Sequence, residues 1–216
     1  MRTRVKICGI TRLQDARAAT DAGADAIGMI FFPSSPRAVD LAVAATIARA
    51  VPALVDTVGV FVDPERADVE AVLERVELSL LQFHGNETAE QCKCFGLPYI
   101  KAARMHAATD PNAIAAAHPD ARALLLDAYQ QDRVGGTGTS FDWVRAADCK
   151  SSPVILAGGL AAANVADALR QSGAYAVDVS SGVESRPGIK SAERIHEFVA
   201  AVASFNSKEN NAGGLV

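Results

Sequence analysis

The stretch VKICGIT (residues 5–11) carries the first decision about the fold. Four residues suited to a buried strand run into a glycine, and a helix-like segment, LQDARAATDAG, follows at once. Lys6 and Cys8 stand two residues apart in that strand, so their side chains face the same side. A charge and a nucleophile thus share a face that apolar packing would otherwise claim. They form either a quiet core pair or part of a site, and spacing alone leaves both readings open.

Working outward, the same unit recurs. Runs rich in β-branched and aliphatic residues lie near 5–9, 26–32, 57–62, 78–85, 99–103, 123–128, 154–159 and 175–182, with Ala-rich helical stretches between them. Thr11 and Asp63-Pro64 read as helix starts, and Gly23, Gly96 and Gly173 as helix stops. Eight strand–helix repeats imply a parallel sheet, open or closed. Closure into a (β/α)8 TIM barrel, a single compact α/β domain over residues 1–205, is the preferred reading. Eight units are present, and nearly every strand ends in a polar residue or glycine, at the edge where barrel sites are built. The segment HAATDPNAIAAAHP (106–119) is broken by proline and predicts a partial helix. The polar stretch 206–216 predicts a frayed, flexible tail.

Composition narrows the function. The chain has 216 residues, half of them apolar, and a net charge of −4. That suffices for one domain with a substantial core. No basic run offers a footprint for nucleic acid, and no segment approaches the roughly 20 apolar residues of a membrane helix. The basic start at Arg2, Arg4 and Lys6 is not followed by the apolar run of a signal peptide. Cys8, Cys92, Cys94 and Cys149 have irregular spacing, unlike a disulfide framework. A cytoplasmic protein with a small-molecule partner is expected, as a monomer, with a homodimer the alternative. Cys92 and Cys94 are two apart on a helix and point apart, which argues against a metal site. Trp143 reads as packing beneath a loop.

Several polar residues sit at strand ends. Lys6 and Cys8 share one face, Gln82 and His84 another, and Lys101, Asp127, Asp178 and Ser180 come from later strands. In a barrel these are expected to converge on one mouth. Glycine-rich turns follow the last three strands: GGTG (135–138), AGGL (157–160) and SSG (180–182). Loops after strands 7 and 8 often bind phosphate, because backbone N–H groups can approach its oxygens closely.

The stretches KICGIT (6–11), GADAIGMIFFPSSPRAV (23–39), VGVFVD (58–63), LQFHG (81–85), LLLDA (124–128), GGTGTSFDW (135–143), LAGGL (156–160) and DVSSGVESRPGIKS (178–191) together resemble the phosphoribosylanthranilate isomerase family, barrel enzymes of tryptophan biosynthesis. The resemblance implies an isomerase without metal or cofactor, acting on N-(5-phosphoribosyl)anthranilate by an Amadori rearrangement. It implies Cys8 as general base, Asp127 as general acid and Arg37 as the holder of the anthranilate carboxylate. Gly158, Gly159, Ser180, Ser181 and Gly182 would hold the phosphate, with Gly136 nearby. Asp178 is counted with the substrate-binding set and is expected to pair with Lys6. Lys6 in turn is expected to favour the Cys8 thiolate, and burial and the substrate phosphate to raise the pKa of Asp127. His84 reads equally as a pocket residue or a structural histidine.

Plainer readings stand beside these. Cys8 could be a small core hydrophobe, Asp127 a loop cap and Arg37 a surface ion pair. Among related enzymes, the histidine-pathway isomerase uses aspartates on strands 1 and 5, where this chain has Cys8 and Lys101. Indole-glycerol-phosphate synthase wants a lysine and glutamates at the mouth of a longer chain. A catalytically dead barrel that only binds a phosphorylated ligand would keep the glycine turns, and intact Cys8 and Asp127 weigh against it.

Overall fold

In the computed structural model, which describes residues 2–106, 108–127 and 143–212 (side chains of 210–212 excepted), eight parallel strands close into a barrel. They are β1 Arg4–Cys8, β2 Ala26–Ile30, β3 Asp56–Phe61, β4 Leu80–Phe83, β5 Tyr99–Arg104, β6 Ala123–Asp127, β7 Val154–Ala157 and β8 Ala176–Val179. β1 pairs with both β2 and β8, which leaves no open edge. The helices are α1 Leu13–Asp21, α2 Leu41–Ala50, α3 Arg66–Leu73, α4 Ala89–Lys93, α5 Pro111–Ala117, α6 Val165–Ser172 and α7 Ala192–Ala212. The expected alternation is present, with one difference among the described residues. Between β6 and β7 the segment Trp143–Asp148 is a 3₁₀ helix, and the buried Trp143 packs into the core beneath it.

Local chemistry explains the boundaries. Asp40 accepts from the N–H groups of Ala42 and Val43 and starts α2. Thr88 and Gln91 form a reciprocal capping box at α4, a device worth about 1 kcal/mol. Proline at the first position of α5 lets that partial helix start after Asp110. Gly173, at φ +60°, ends α6.

Strand parity divides the core in two. Ile100, Ala102, Ala123, Leu125, Ile155, Ala157 and Ala176, with Leu80 against them, pack inside the barrel. The alternate residues Leu81, Phe83, Tyr99, Leu124, Leu126, Leu156 and Val177 pack outward beneath the helices. Lys101 has the outward parity. It does not reach the mouth as expected, because its Nζ donates to Gly85 O at 2.7 Å and pairs with buried Glu87 at 2.6 Å. Glu87 also accepts from the N–H groups of Asp63 and Gly85, so this pair ties the rim loops after β3 and β4 together.

Two features depart from the sequence reading. The tail expected to fray from residue 206 is helical through Ala212 as part of α7. Phe205 packs against the core, and Asn206 Oδ1 accepts from Thr3 N at 2.9 Å, which fixes the helix beside the start of β1. After β8 the chain makes one 3₁₀ turn, Ser181–Val183, and then a small antiparallel hairpin, β9 Glu184–Arg186 and β10 Ile189–Lys190.

Candidate active site

Among the described residues the barrel interior is apolar except at Gln82 on β4 and where β1 and β8 meet. Lys6 and Asp178 are register partners on those strands, and Lys6 Nζ donates to Asp178 Oδ1 at 2.9 Å. Their side chains are only 5% and 9% exposed. A buried ammonium without a partner would be very costly, so the expected pairing is also an electrostatic necessity. Burial pushes the Lys6 pKa down, but Asp178 and Cys8 together outweigh it and the net direction is up.

Cys8 stands one pleat above Lys6, at the rim end of β1. Opposite it in register is Gly28. A Cβ on Gly28 would lie 2.9 Å from Cys8 Sγ and 3.1 Å from Lys6 Nζ. Both side chains therefore lean into the space this glycine leaves, which answers how a charge and a thiol fit on one crowded face. The thiol's tuning differs from the expectation. Burial raises the Cys8 pKa, the Asp178 carboxylate raises it further, and the opposing charges of Lys6 and Lys190 do not reverse the direction. Lys6 does favour the thiolate, as expected, but burial and Asp178 outweigh it.

Asp127 ends β6 on the interior parity set by Ala123 and Leu125. Its Oδ2 lies 3.4 Å from His84 Nε2, and both side chains are about one-fifth exposed. His84 is thus a neighbour of Asp127 at the rim, and it also lines a cleft of about 660 Å³ bounded by the loop after β4, by β5 and by α5. Gln82, one pleat below His84, is 1% exposed. Among the described residues its Oε1 has no hydrogen-bond partner, so an acceptor is stranded beneath the mouth.

Beside Asp127, whose register partner on β7 is Ala157, the turns after β7 and β8 touch. Gly158 and Gly159 both take left-handed backbone angles, φ +87° and +65°, which other residues rarely adopt. A Cβ on Gly182 would lie 1.9 Å from Leu160 O, so only glycine permits this contact between the two turns. Ser181 and Gly182 belong to the 3₁₀ turn, with Ser180 just before it. Gly136 lies outside the described residues.

Arg37 is not a surface ion pair. Its Nε and Nη2 donate to the two oxygens of Glu184, both at 2.8 Å, and Glu184 is 4% exposed. Glu184 also accepts from Lys190 Nζ at 2.9 Å, and Lys190 is wholly buried. Lys190 Nζ donates in turn to Ser180 O at 3.1 Å and Ser180 Oγ at 3.3 Å. Burial works against the Glu184 charge, but Arg37 and Lys190 hold its pKa below the usual carboxylate value. Sequence reasoning assigned no role to Glu184 or Lys190. The available signal was two opposite charges flanking the Pro187-Gly188 turn, which pair across the hairpin.

A family model described as N-(5'phosphoribosyl)anthranilate (PRA) isomerase matches residues 5–201. The N-(5'-phosphoribosyl)anthranilate isomerase of Pseudomonas aeruginosa PAO1 is 51% identical over 206 residues, covering 95% of this chain and 98% of its own length. Phosphoribosyl anthranilate isomerase from Thermus thermophilus superposes with a TM-score of 0.82 at 38% identity, covering 94% of this chain and 99% of that one. A further solved isomerase holds reduced 1-(o-carboxyphenylamino)-1-deoxyribulose 5-phosphate; it superposes at a TM-score of 0.81 with 34% identity over 94% and 99% of the two chains.

Proposed function

This chain belongs to the N-(5'-phosphoribosyl)anthranilate isomerase family, and we propose that it performs the family's Amadori rearrangement with Cys8 as general base and Asp127 as general acid. The observation that carries the assignment is that both groups end their strands on the interior parity, at the rim of one closed barrel.

The chemistry follows from the groups at the rim. Asp127 gives its proton to the ribose ring oxygen while the anthranilate nitrogen lone pair forms a C=N bond, so the C1′–O bond breaks and the furanose opens. The product of that step is a protonated Schiff base. Cys8, as the thiolate whose own proton has passed to solvent, then takes the proton from C2′, and the C–H pair becomes the C1′=C2′ bond while the C=N electrons return to nitrogen. The enol so formed gives up its O–H proton and gains one at C1′, which yields the ketone. Positioned acid and base groups each contribute typically 10²–10⁴-fold.

A thiol with a raised pKa needs help to act as a base. The cationic Schiff base, once formed over Cys8, is a neighbouring positive charge that favours the thiolate. Arg37 would receive the substrate carboxylate, for which a planar guanidinium is well matched. The turns at Gly158–Gly159 and Ser180–Gly182 would receive the phosphate.

The test is direct. Phosphoribosylanthranilate is fluorescent, and its signal should decay when the protein is added to freshly prepared substrate. Cys8→Ser should lower turnover by orders of magnitude and leave inhibition by inorganic phosphate nearly unchanged. Full turnover in that variant would remove Cys8 from the mechanism. Among the described residues no helix is long and apolar enough to cross a membrane, and a cytoplasmic monomer is proposed. Light scattering at twice the mass of one chain would overturn the monomer.

A further inference from the structure

The hairpin after β8 is the part of the rim that the reaction leaves unexplained. Two of its three charged side chains, Glu184 and Lys190, are 4% and 0% exposed, deeper than the Arg37 they serve at 23%. Burying two charges needs a return beyond stability, because such pairs often break even against apolar packing.

The geometry shows what they join. Arg37, which follows β2, is gripped through two nitrogens by one carboxylate. That same carboxylate holds the Lys190 ammonium, which grips both the carbonyl and the hydroxyl of Ser180 on the β8 turn. Between the two ends sits Gly9: a Cβ there would meet Arg37 Cδ at 2.8 Å and Ser180 Oγ at 3.0 Å. The hairpin is itself anchored, since Thr11 Oγ1 donates to Gly188 O and Lys190 N donates to Asp15 Oδ2. A Cβ on Gly188 would come within 3.0 Å of Pro36 O, so the turn also abuts the loop that carries Arg37.

We propose that Glu184 is a positioning residue for the isomerisation. With Lys190 it forms a rigid strut that sets the distance between the carboxylate-binding Arg37 and the phosphate-binding Ser180 turn, and so selects substrates by the span between their two anionic ends. The inference rests on the reading of Arg37 and the β8 turn given above. It adds that the two anion sites are one mechanical unit and that a single carboxylate couples them. Because neither site touches a reacting atom, loosening the strut removes binding that ground state and transition state share. The expected signature is a rise in KM with kcat largely kept.

The test follows substrate kinetics with inorganic phosphate and anthranilate as separate inhibitors. Glu184→Gln should raise KM by about 10–100-fold, the range set by weakening hydrogen bonds to charged groups, with kcat within about fivefold. It should weaken inhibition by both probes. Arg37→Gln should weaken anthranilate alone, and Lys190→Met should weaken phosphate alone. If Arg37→Gln leaves anthranilate inhibition intact, the reading of that site fails and the strut loses its premise. If Arg37→Gln and Lys190→Met behave as expected while Glu184→Gln changes only the melting temperature, the strut alone is overturned. Should Glu184→Gln fail to fold, Glu184→Asp keeps the charge but is one methylene too short to reach both partners. It should give the same KM pattern, and an unchanged KM there refutes the proposal.

Discussion

Replacing Asp178 with Asn tests the electrostatics of the barrel floor. The substitution keeps shape and leaves the Lys6 ammonium, at 5% side-chain exposure, beside a neutral amide. Breaking a buried pair from one side costs about 3–5 kcal/mol, because the remaining charge is uncompensated. With a urea slope of about 2 kcal/mol/M, the denaturation midpoint should fall by roughly 1.5–2.5 M. In a chain of this size the same loss lowers the melting temperature by about 6–20 °C. The thiol responds as well. Asp178 is one of the groups that raise the Cys8 pKa, and it also neutralises Lys6, which lowers that pKa. Removing the carboxylate therefore acts twice in the same direction, and the Cys8 pKa should fall. The rate of Cys8 alkylation by iodoacetamide against pH reads this, in a Cys94→Ser background because Cys94 is the exposed thiol. Adding Lys6→Met to Asp178→Asn should recover most of the lost stability. A stability within about 0.5 kcal/mol of the parent, the size of an ordinary surface substitution, together with an unshifted alkylation profile, would refute the account of the pair.

The remaining expectations concern the rim. In the free protein Cys8 is protonated and its pKa lies above that of a free thiol, so kcat/KM should climb with pH through the alkaline range as the thiolate fraction grows. The profile of kcat, which reports the bound complex, should be flatter; a kcat/KM that stays level from pH 7 to 10 would contradict a Cys8 base. Gly28→Ala places a methyl group 2.9 Å from Cys8 Sγ, and should cut kcat at least tenfold at a stability cost of about 1–3 kcal/mol for overpacking. Gly182→Ala meets the backbone oxygen of Leu160, which cannot give way as a side-chain tip could. The two turns should separate, and inhibition by inorganic phosphate should weaken, while the thiol titration of Cys8 stays where it was.

Much of this molecule was legible in the chain, for identifiable reasons. The eight strands and their order follow from local composition, because a barrel strand buried on both faces must be short, apolar and β-branched. The helix stops at Gly23, Gly96 and Gly173 were readable because all three glycines take positive φ. The pairing of Lys6 with Asp178 could be anticipated once β1 and β8 were taken as neighbours, since closure puts the first and last strands side by side. Lys101 was misplaced because its strand was read without its parity; Tyr99 and Ala103, with which it shares a face, belong to the outer core. Residues 206–212 were taken for tail because their polar composition conceals one anchored residue, Asn206, and 213–216 lie outside the described residues.

What the sequence determined alone was the fold class, eight short strands with polar residues or glycines at their ends. Tertiary structure decided how those groups are tuned and tied. The Cys8 pKa is a balance between burial and three neighbouring charges drawn from β1, β8 and β10, and such a sum depends on distances that only closure defines. The grip of Glu184 on Arg37 spans 147 positions in the chain. No local pattern marks it, because the carboxylate and the guanidinium become neighbours only when the eighth strand lies against the first.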